Sequence, residues 1–211
     1  NTTLMAEVIK LHGNQAFVQV FESTRGLQIG ADVNFTGRML EATLGPVILS
    51  RNYDGLQNDL DKFEGIFLRK GDHNFPLDEN AVWEYKPVAE PGDSVVAGSW
   101  LGEVTENWVP HKIMVPFKFS GTCQVKWIAG PGQYRIYDVI AVLTDEKGHE
   151  HQVTMVQKWP VKIPIKAYKN KTRPFRIMET GVRVIDTLNP IAEGGTGFIP
   201  GPFGCGKTVL Q

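Results

Sequence analysis

The sequence predicts a chain that is mainly β and ends at the start of an α/β domain. Three observations predict it. Short runs rich in β-branched and aromatic residues recur between residues 5 and 159, and glycine and proline interrupt them too often for helices. An apolar stretch, a glycine loop and a helix-like start follow one another only at the end, over residues 197–211.

The first elements are residues 5–11 and 16–21, two β-rich runs joined by His12-Gly13-Asn14-Gln15, which reads as a hairpin turning at Gly13-Asn14. Residues 33–36 alternate in polarity and residues 39–44 are short and half apolar, with Gly26, Gly30, Gly37 and Gly45-Pro46 between them. Such short strands predict a small barrel within a first region, residues 1–69. Around Tyr53-Asp54-Gly55 the pattern loosens, which predicts a connecting segment with a turn and a short helix.

A second β region is predicted over residues 70–160, with strands at 94–96, 113–119, 122–128, 134–143 and 152–159. Its segments 91–98 and 121–125 resemble the barrel-sandwich pattern of lipoyl and biotinyl domains, with Lys112 where such domains present a modified lysine. Pro110 and Pro116 beside it fit a bent structural strand better. The remainder, residues 161–211, leads into the apolar stretch and glycine loop at its end.

Composition narrows the function. Twenty-two basic and 23 acidic residues leave a net charge of −1, which gives no global attraction to nucleic acid or to an anionic membrane. Two cysteines, Cys123 and Cys205, are no disulfide framework, so a reducing compartment is the default. No apolar run approaches the roughly 20 residues of a membrane span. The chain has no initiating methionine or signal-like start and is expected to be cut at both ends.

The chemistry lies in Gly201-Pro202-Phe203-Gly204-Cys205-Gly206-Lys207-Thr208, which matches G-x-x-x-x-G-K-[ST] throughout. A phosphate chain needs donors that converge on it without side chains in the way. Gly204 and Gly206 can take positive φ, so that successive backbone N–H groups point inward as an anion nest. A helix starting near Lys207 adds its own free N–H groups and dipole. Lys207 then reaches the β/γ-phosphates, and the Thr208 hydroxyl is placed to bind Mg²⁺. Residues 196–200 are expected to be the strand that leads into the loop, with Val209 and Leu210 in the helix. Cys205, in a positive loop, is an oxidisable thiol or simply a small residue that fits.

Two other stretches invite functional readings. Residues 158–176 carry Lys158, Lys162, Lys166, Lys169, Lys171, Arg173 and Arg176 and no acidic residue, yet Pro160, Pro164 and Pro174 make this an extended crossing segment or subunit contact rather than an RNA-binding patch. His149-Glu150-His151 places two imidazoles on one side of a strand, as metal ligands or, following Asp145-Glu146-Lys147-Gly148, as a polar hairpin end. The hairpin end is the preferred reading.

Taken together, these stretches carry a family resemblance. Residues 15–20, Leu44-Gly45-Pro46, Tyr53-Asp54-Gly55-Leu56-Gln57, residues 111–116, Trp159-Pro160-Val161, Thr180-Gly181-x-Arg183-Val184-Ile185-Asp186 and Gly194-Gly195-Thr196, with the loop form Gly-Pro-Phe-Gly-x-Gly-Lys-Thr, resemble the catalytic A subunit (alpha chain) of the V-type/A-type rotary ATPases. Asn58-Asp59, Val182 and Asn189 depart from the residues common in that family, and the first barrel strand is expected to be missing.

The resemblance implies a catalytic subunit that hydrolyses or makes ATP and couples this to H⁺ or Na⁺ transport, with Mg²⁺ and ATP/ADP as cofactor and substrate. It implies B subunits in an A3B3 hexamer, central and peripheral stalk subunits, a cytoplasmic place at the membrane, and membrane contact only through the ion-translocating sector. It makes residues 161–211 the entry to a nucleotide-binding domain, and Lys207 is the catalytic residue it assigns. Gly201, Pro202, Phe203, Gly204, Cys205, Gly206, Lys207, Thr208 and Val209 bind nucleotide, with Thr208 on Mg²⁺. The catalytic glutamate and adenine pocket fall beyond Gln211, so the fragment alone is expected to be inactive. The alternatives are a non-catalytic assembly or stator-binding module, or another hexameric motor of F-type, secretion or RNA-translocating kind.

Overall fold

The computed structural model describes residues 3–49, 51–65, 67–168 and 170–211, and the chain divides into two compact units, residues 1–167 and 168–211. Lys169, one of the basic residues singled out above, lies outside the described residues.

The first unit opens with an antiparallel hairpin of β1 (Ala6–His12) and β2 (Gln15–Val20). His12 pairs with Gln15, so Gly13 and Asn14 make the turn as predicted, and Gly13 supplies the positive φ of 58°. A register shift between Val8 and Lys10 adds a bulge. The expected strand at residues 33–36 is absent, and no closed barrel forms among the described residues. Alternation over four residues without a pairing edge does not make a strand. β3 (Glu41–Leu44) follows, then a 3-10 turn at Leu60–Lys62 in the connector.

The centre of this unit is a sandwich of two four-stranded antiparallel sheets. One has the order β7 (Val109–Met114), β6 (Trp100–Glu106), β4 (Val82–Pro87), β9 (Gly132–Arg135). The other has the order β11 (Glu150–Val153), β10 (Ala141–Thr144), β8 (Cys123–Ile128), β5 (Ser94–Val95). Their inward residues form the core. Leu101 from the first sheet packs with Val125, Leu143 and Val153 from the second, and Tyr85, Val104 and Ile113 pack with Ile140 and Met155. Burying each such side chain contributes about 1.5–3 kcal/mol. β12 (Gln157–Pro160) leaves the sandwich and pairs with β3, Lys158 lying opposite Thr43.

The predicted strands at 134–143 and 152–159 each prove to be two, and the one at 113–119 starts earlier, at Val109. Pro110 explains the position of that strand: β7 is an edge, where a missing N–H is tolerated.

Candidate functional site

The second unit, residues 168–211, holds the candidate loop. Its framework begins with a bridge between Ile177 and Ala192, with Met178 N–H donating to Ile191 C=O at 2.8 Å. Asp186 in α1 (Arg183–Leu188) accepts from Thr180 N–H at 3.1 Å, Thr180 Oγ1 at 2.6 Å and Gly181 N–H at 3.0 Å. The Thr180 hydroxyl bond, then the backbone bonds of Thr180 and Gly181, hold the Asp186 carboxyl below the ordinary carboxylate range. The carboxylate thus ties Thr180-Gly181 to the helix that follows.

Residues 196–200, expected as a strand, carry none. A buried parallel strand needs neighbours on both sides, and this unit provides no sheet for it among the described residues. The loop itself has the expected backbone. Gly204 and Gly206 have φ of 79° and 84°, and Gly206 is the N-cap of α2 (Lys207–Leu210). No heavy atom lies within 4 Å of a Cβ placed on either glycine, so both face open space. Among the described residues, the N–H groups of Gly204, Gly206, Lys207 and Thr208 and the Thr208 hydroxyl have no protein partner. Four free donors at a glycine turn, with a hydroxyl beside them, fit a phosphate chain and its Mg²⁺.

Lys207 adds the charge. Its Nζ donates to Gly201 C=O at 2.6 Å and Pro202 C=O at 2.8 Å, and lies 3.7 Å from Cys205 Sγ. The structure thus gathers Gly201, Pro202, Cys205 and Lys207 by contact, while every residue from Gly201 to Val209 except half-buried Lys207 is exposed. The Lys207 and Cys205 contacts with the head of the loop are invisible in the motif, since nothing in its spacing encodes them.

The other candidates resolve differently. Lys112 is paired with Glu103 in mid-strand and sits 4.8 Å from the centre of the Trp100 ring, so it is a structural strand residue and not a presented carrier lysine. His149 Nδ1 and His151 Nε2 both meet Asp145 Oδ2, at 3.3 and 3.1 Å, and no group among the described residues is arranged to hold a metal ion. Thr144 pairs with Glu150 across β10 and β11, and Gly148 N–H donates to Asp145 C=O at 2.9 Å, so this stretch is the turn end of that hairpin. In the basic segment, Lys162 pairs with Glu7 at 2.7 Å. One polar link escaped the sequence reading altogether. Buried Glu106 accepts from Leu49 N–H at 2.9 Å and meets His111 Nδ1 at 2.8 Å, fastening the connector to the sandwich. No helix among the described residues is long and apolar enough to cross a membrane.

Similarity to known proteins defines the class of protein. Residues 75–162 match the ATP synthase alpha/beta subunit barrel-sandwich domain, and residues 1–37 match the beta-barrel domain of the ATP synthase alpha/beta family. The relatives narrow it further. The chain is 46% identical over 212 residues to the V-type ATP synthase alpha chain of Borrelia recurrentis (strain A1), covering 99% of this chain and 37% of that relative. It is 45% identical over 214 residues to V-type ATP synthase alpha chain 1 of Treponema pallidum (strain Nichols), covering 100% of this chain and 36% of that relative. Against the V-type ATP synthase alpha chain of Protochlamydia amoebophila (strain UWE25) the identity is 46%, with the same coverage of 100% and 36%. The chain belongs to the V-type ATP synthase alpha chain family. It spans just over a third of the length of these relatives.

Proposed function

We propose that this chain supplies the phosphate grip of the catalytic, ATP-binding subunit of a V-type rotary ATPase. In full length and in its complex, that subunit hydrolyses or makes ATP and couples this to H⁺ or Na⁺ movement. The observation that carries the reading is the loop from Gly201 to Thr208, whose free N–H groups, Lys207 ammonium and Thr208 hydroxyl lie together at the start of a helix.

Gly204 and Gly206 turn the backbone so that its N–H groups meet the phosphate oxygens. Lys207 draws its charge to the β/γ-phosphates, and the Thr208 hydroxyl would hold Mg²⁺. When bound, Mg²⁺ neutralises charge on the β- and γ-phosphate oxygens. Pro202, Phe203, Cys205 and Val209 complete the nucleotide-binding stretch of this reading. The partners of the full subunit are B subunits in an A3B3 hexamer and the central and peripheral stalks, and the subunit lies on the cytoplasmic side, peripheral to the membrane. Phosphoryl transfer needs several positioned groups, so the remaining ones come from the rest of the subunit and its neighbour.

A metal-dependence measurement on the full-length subunit in its complex tests this. Thr208→Ala should weaken ADP binding about tenfold or more in Mg²⁺ and leave binding in EDTA nearly unchanged, because it removes a metal ligand and no phosphate donor. Equal affinities for the two proteins in Mg²⁺ would remove Thr208 from the role.

A further inference from the structure

Gly201, at the head of the loop, is glycine for a different reason from Gly204 and Gly206. Those two have positive φ and open space around them; Gly201 is not among the positive-φ residues, so its backbone would accept a side chain. What it lacks is room. A Cβ placed on Gly201 runs into Cys205 Sγ, well inside van der Waals contact. The next atoms it meets are Cys205 Cβ at 3.7 Å and Lys207 Cδ at 3.9 Å, both ordinary contacts. The same sulfur lies 3.7 Å from Lys207 Nζ, which donates to Gly201 C=O at 2.6 Å. Sulfur, ammonium and the Gly201 peptide therefore close on one another.

We propose that Cys205 is a positioning residue for Lys207, and that Gly201 is needed because the Cys205 sulfur fills the space a side chain would take. The cysteine side chain has one torsion with three staggered positions. A methyl at residue 201 evicts the sulfur into another of these, away from Gly201 and from the lysine, and the ammonium loses the packing that fixes its reach. Removing the sulfur removes the conflict, since the Cys205 Cβ alone stands at an ordinary 3.7 Å from that methyl. The consequence for ligand binding rests on the reading of this loop as a phosphate site; the packing relation itself does not.

The test is a double-mutant cycle on the full-length subunit: wild type, Gly201→Ala, Cys205→Ala and the pair. Mg-ADP affinity is read by calorimetry, and the Gly204 and Gly206 amide shifts are read in glycine-labelled protein without nucleotide. Gly201→Ala should weaken Mg-ADP about fivefold with Cys205 present, and less than about twofold when residue 205 is already alanine. The two amide shifts should move in the first background and stay in the second. An equal effect in both backgrounds, or no effect with Cys205 present, overturns the proposal. If wild type does not bind Mg-ADP, the phosphate-site reading fails, and the shift comparison still decides the pair: unequal changes uphold it and equal changes overturn it.

Discussion

The side-chain amide of Gln57 pairs with both backbone groups of Thr43. Thr43 N–H donates to Gln57 Oε1 at 2.7 Å, and Gln57 Nε2 donates to Thr43 C=O at 2.7 Å. A neighbouring strand would do the same; here one side chain caps the edge of β3 that β12 leaves open. Asp54 arranges this, its Oδ1 accepting from Leu56 N–H at 2.9 Å and Asn58 N–H at 2.8 Å, so that the chain turns with Gln57 at φ 62°. The stretch Tyr53-Asp54-Gly55-Leu56-Gln57 thus has a structural role.

Gln57→Ala leaves the N–H and C=O of buried Thr43 unpaired. It should cost about 1–3 kcal/mol, seen as a lower denaturant midpoint at unchanged slope. An unchanged midpoint would mean that water replaces the amide without loss.

Gly102 tests the sandwich core. A methyl there runs into the ring of Tyr85, which is 0% exposed and donates through its hydroxyl to Leu101 C=O at 3.1 Å. Gly102→Ala should destabilise the chain by about 1–3 kcal/mol through overpacking. Wild-type stability in that variant would show that the buried Tyr85 ring shifts aside more easily than its packing implies.

Asp145 sets an acid-side dependence. The His151 hydrogen bond, then the backbone N–H groups of His149 and Lys147 and the His149 side chain, hold its carboxyl well below the usual carboxylate range. A carboxylate whose folded pKa is depressed stabilises the fold above its unfolded pKa, and the contribution is lost as pH falls through the folded one. Wild type should therefore be more stable than Asp145→Asn at pH 7, and the gap should shrink below about pH 4. A gap constant from pH 7 to pH 2 would rule out the ionised carboxylate as its source.

The two kinds of information separate along particular residues. The β1–β2 hairpin was legible because its turn residues and β-rich runs agree. The left-handed turns at Gly204 and Gly206 were legible because the G-x-x-x-x-G-K-[ST] spacing calls for them. β4 and β6 were not, since Glu84, Lys86 and Pro87 in one and Gly102 and Glu103 in the other break the apolar pattern, and Gly102 is explained only by the ring of Tyr85 on the neighbouring strand. Residues 33–36 and 196–200 look like strands locally and lack the partners that make one. The Gly201, Cys205 and Lys207 cluster was hidden for the same reason: its contacts are properties of a folded loop.

The loop's surroundings limit this chain taken by itself. α2 has four residues and buries none of them, and residues 196–200 provide no strand behind it. Helices below about 12–15 residues are marginal without packing. Calorimetry of the 211-residue chain with Mg-ATP should give a dissociation constant weaker than micromolar. Micromolar binding would show that the loop is preorganised without its sheet.

The most direct measurement of the central claim is steady-state ATP turnover by the assembled complex carrying Lys207→Ala in the full-length subunit. If Lys207 grips the phosphates as proposed, loss of its ammonium should lower turnover about 10²-fold or more, with the complex still assembled. Turnover within a few-fold of wild type would contradict the assignment of Lys207, and with it the reading of this loop as the phosphate grip.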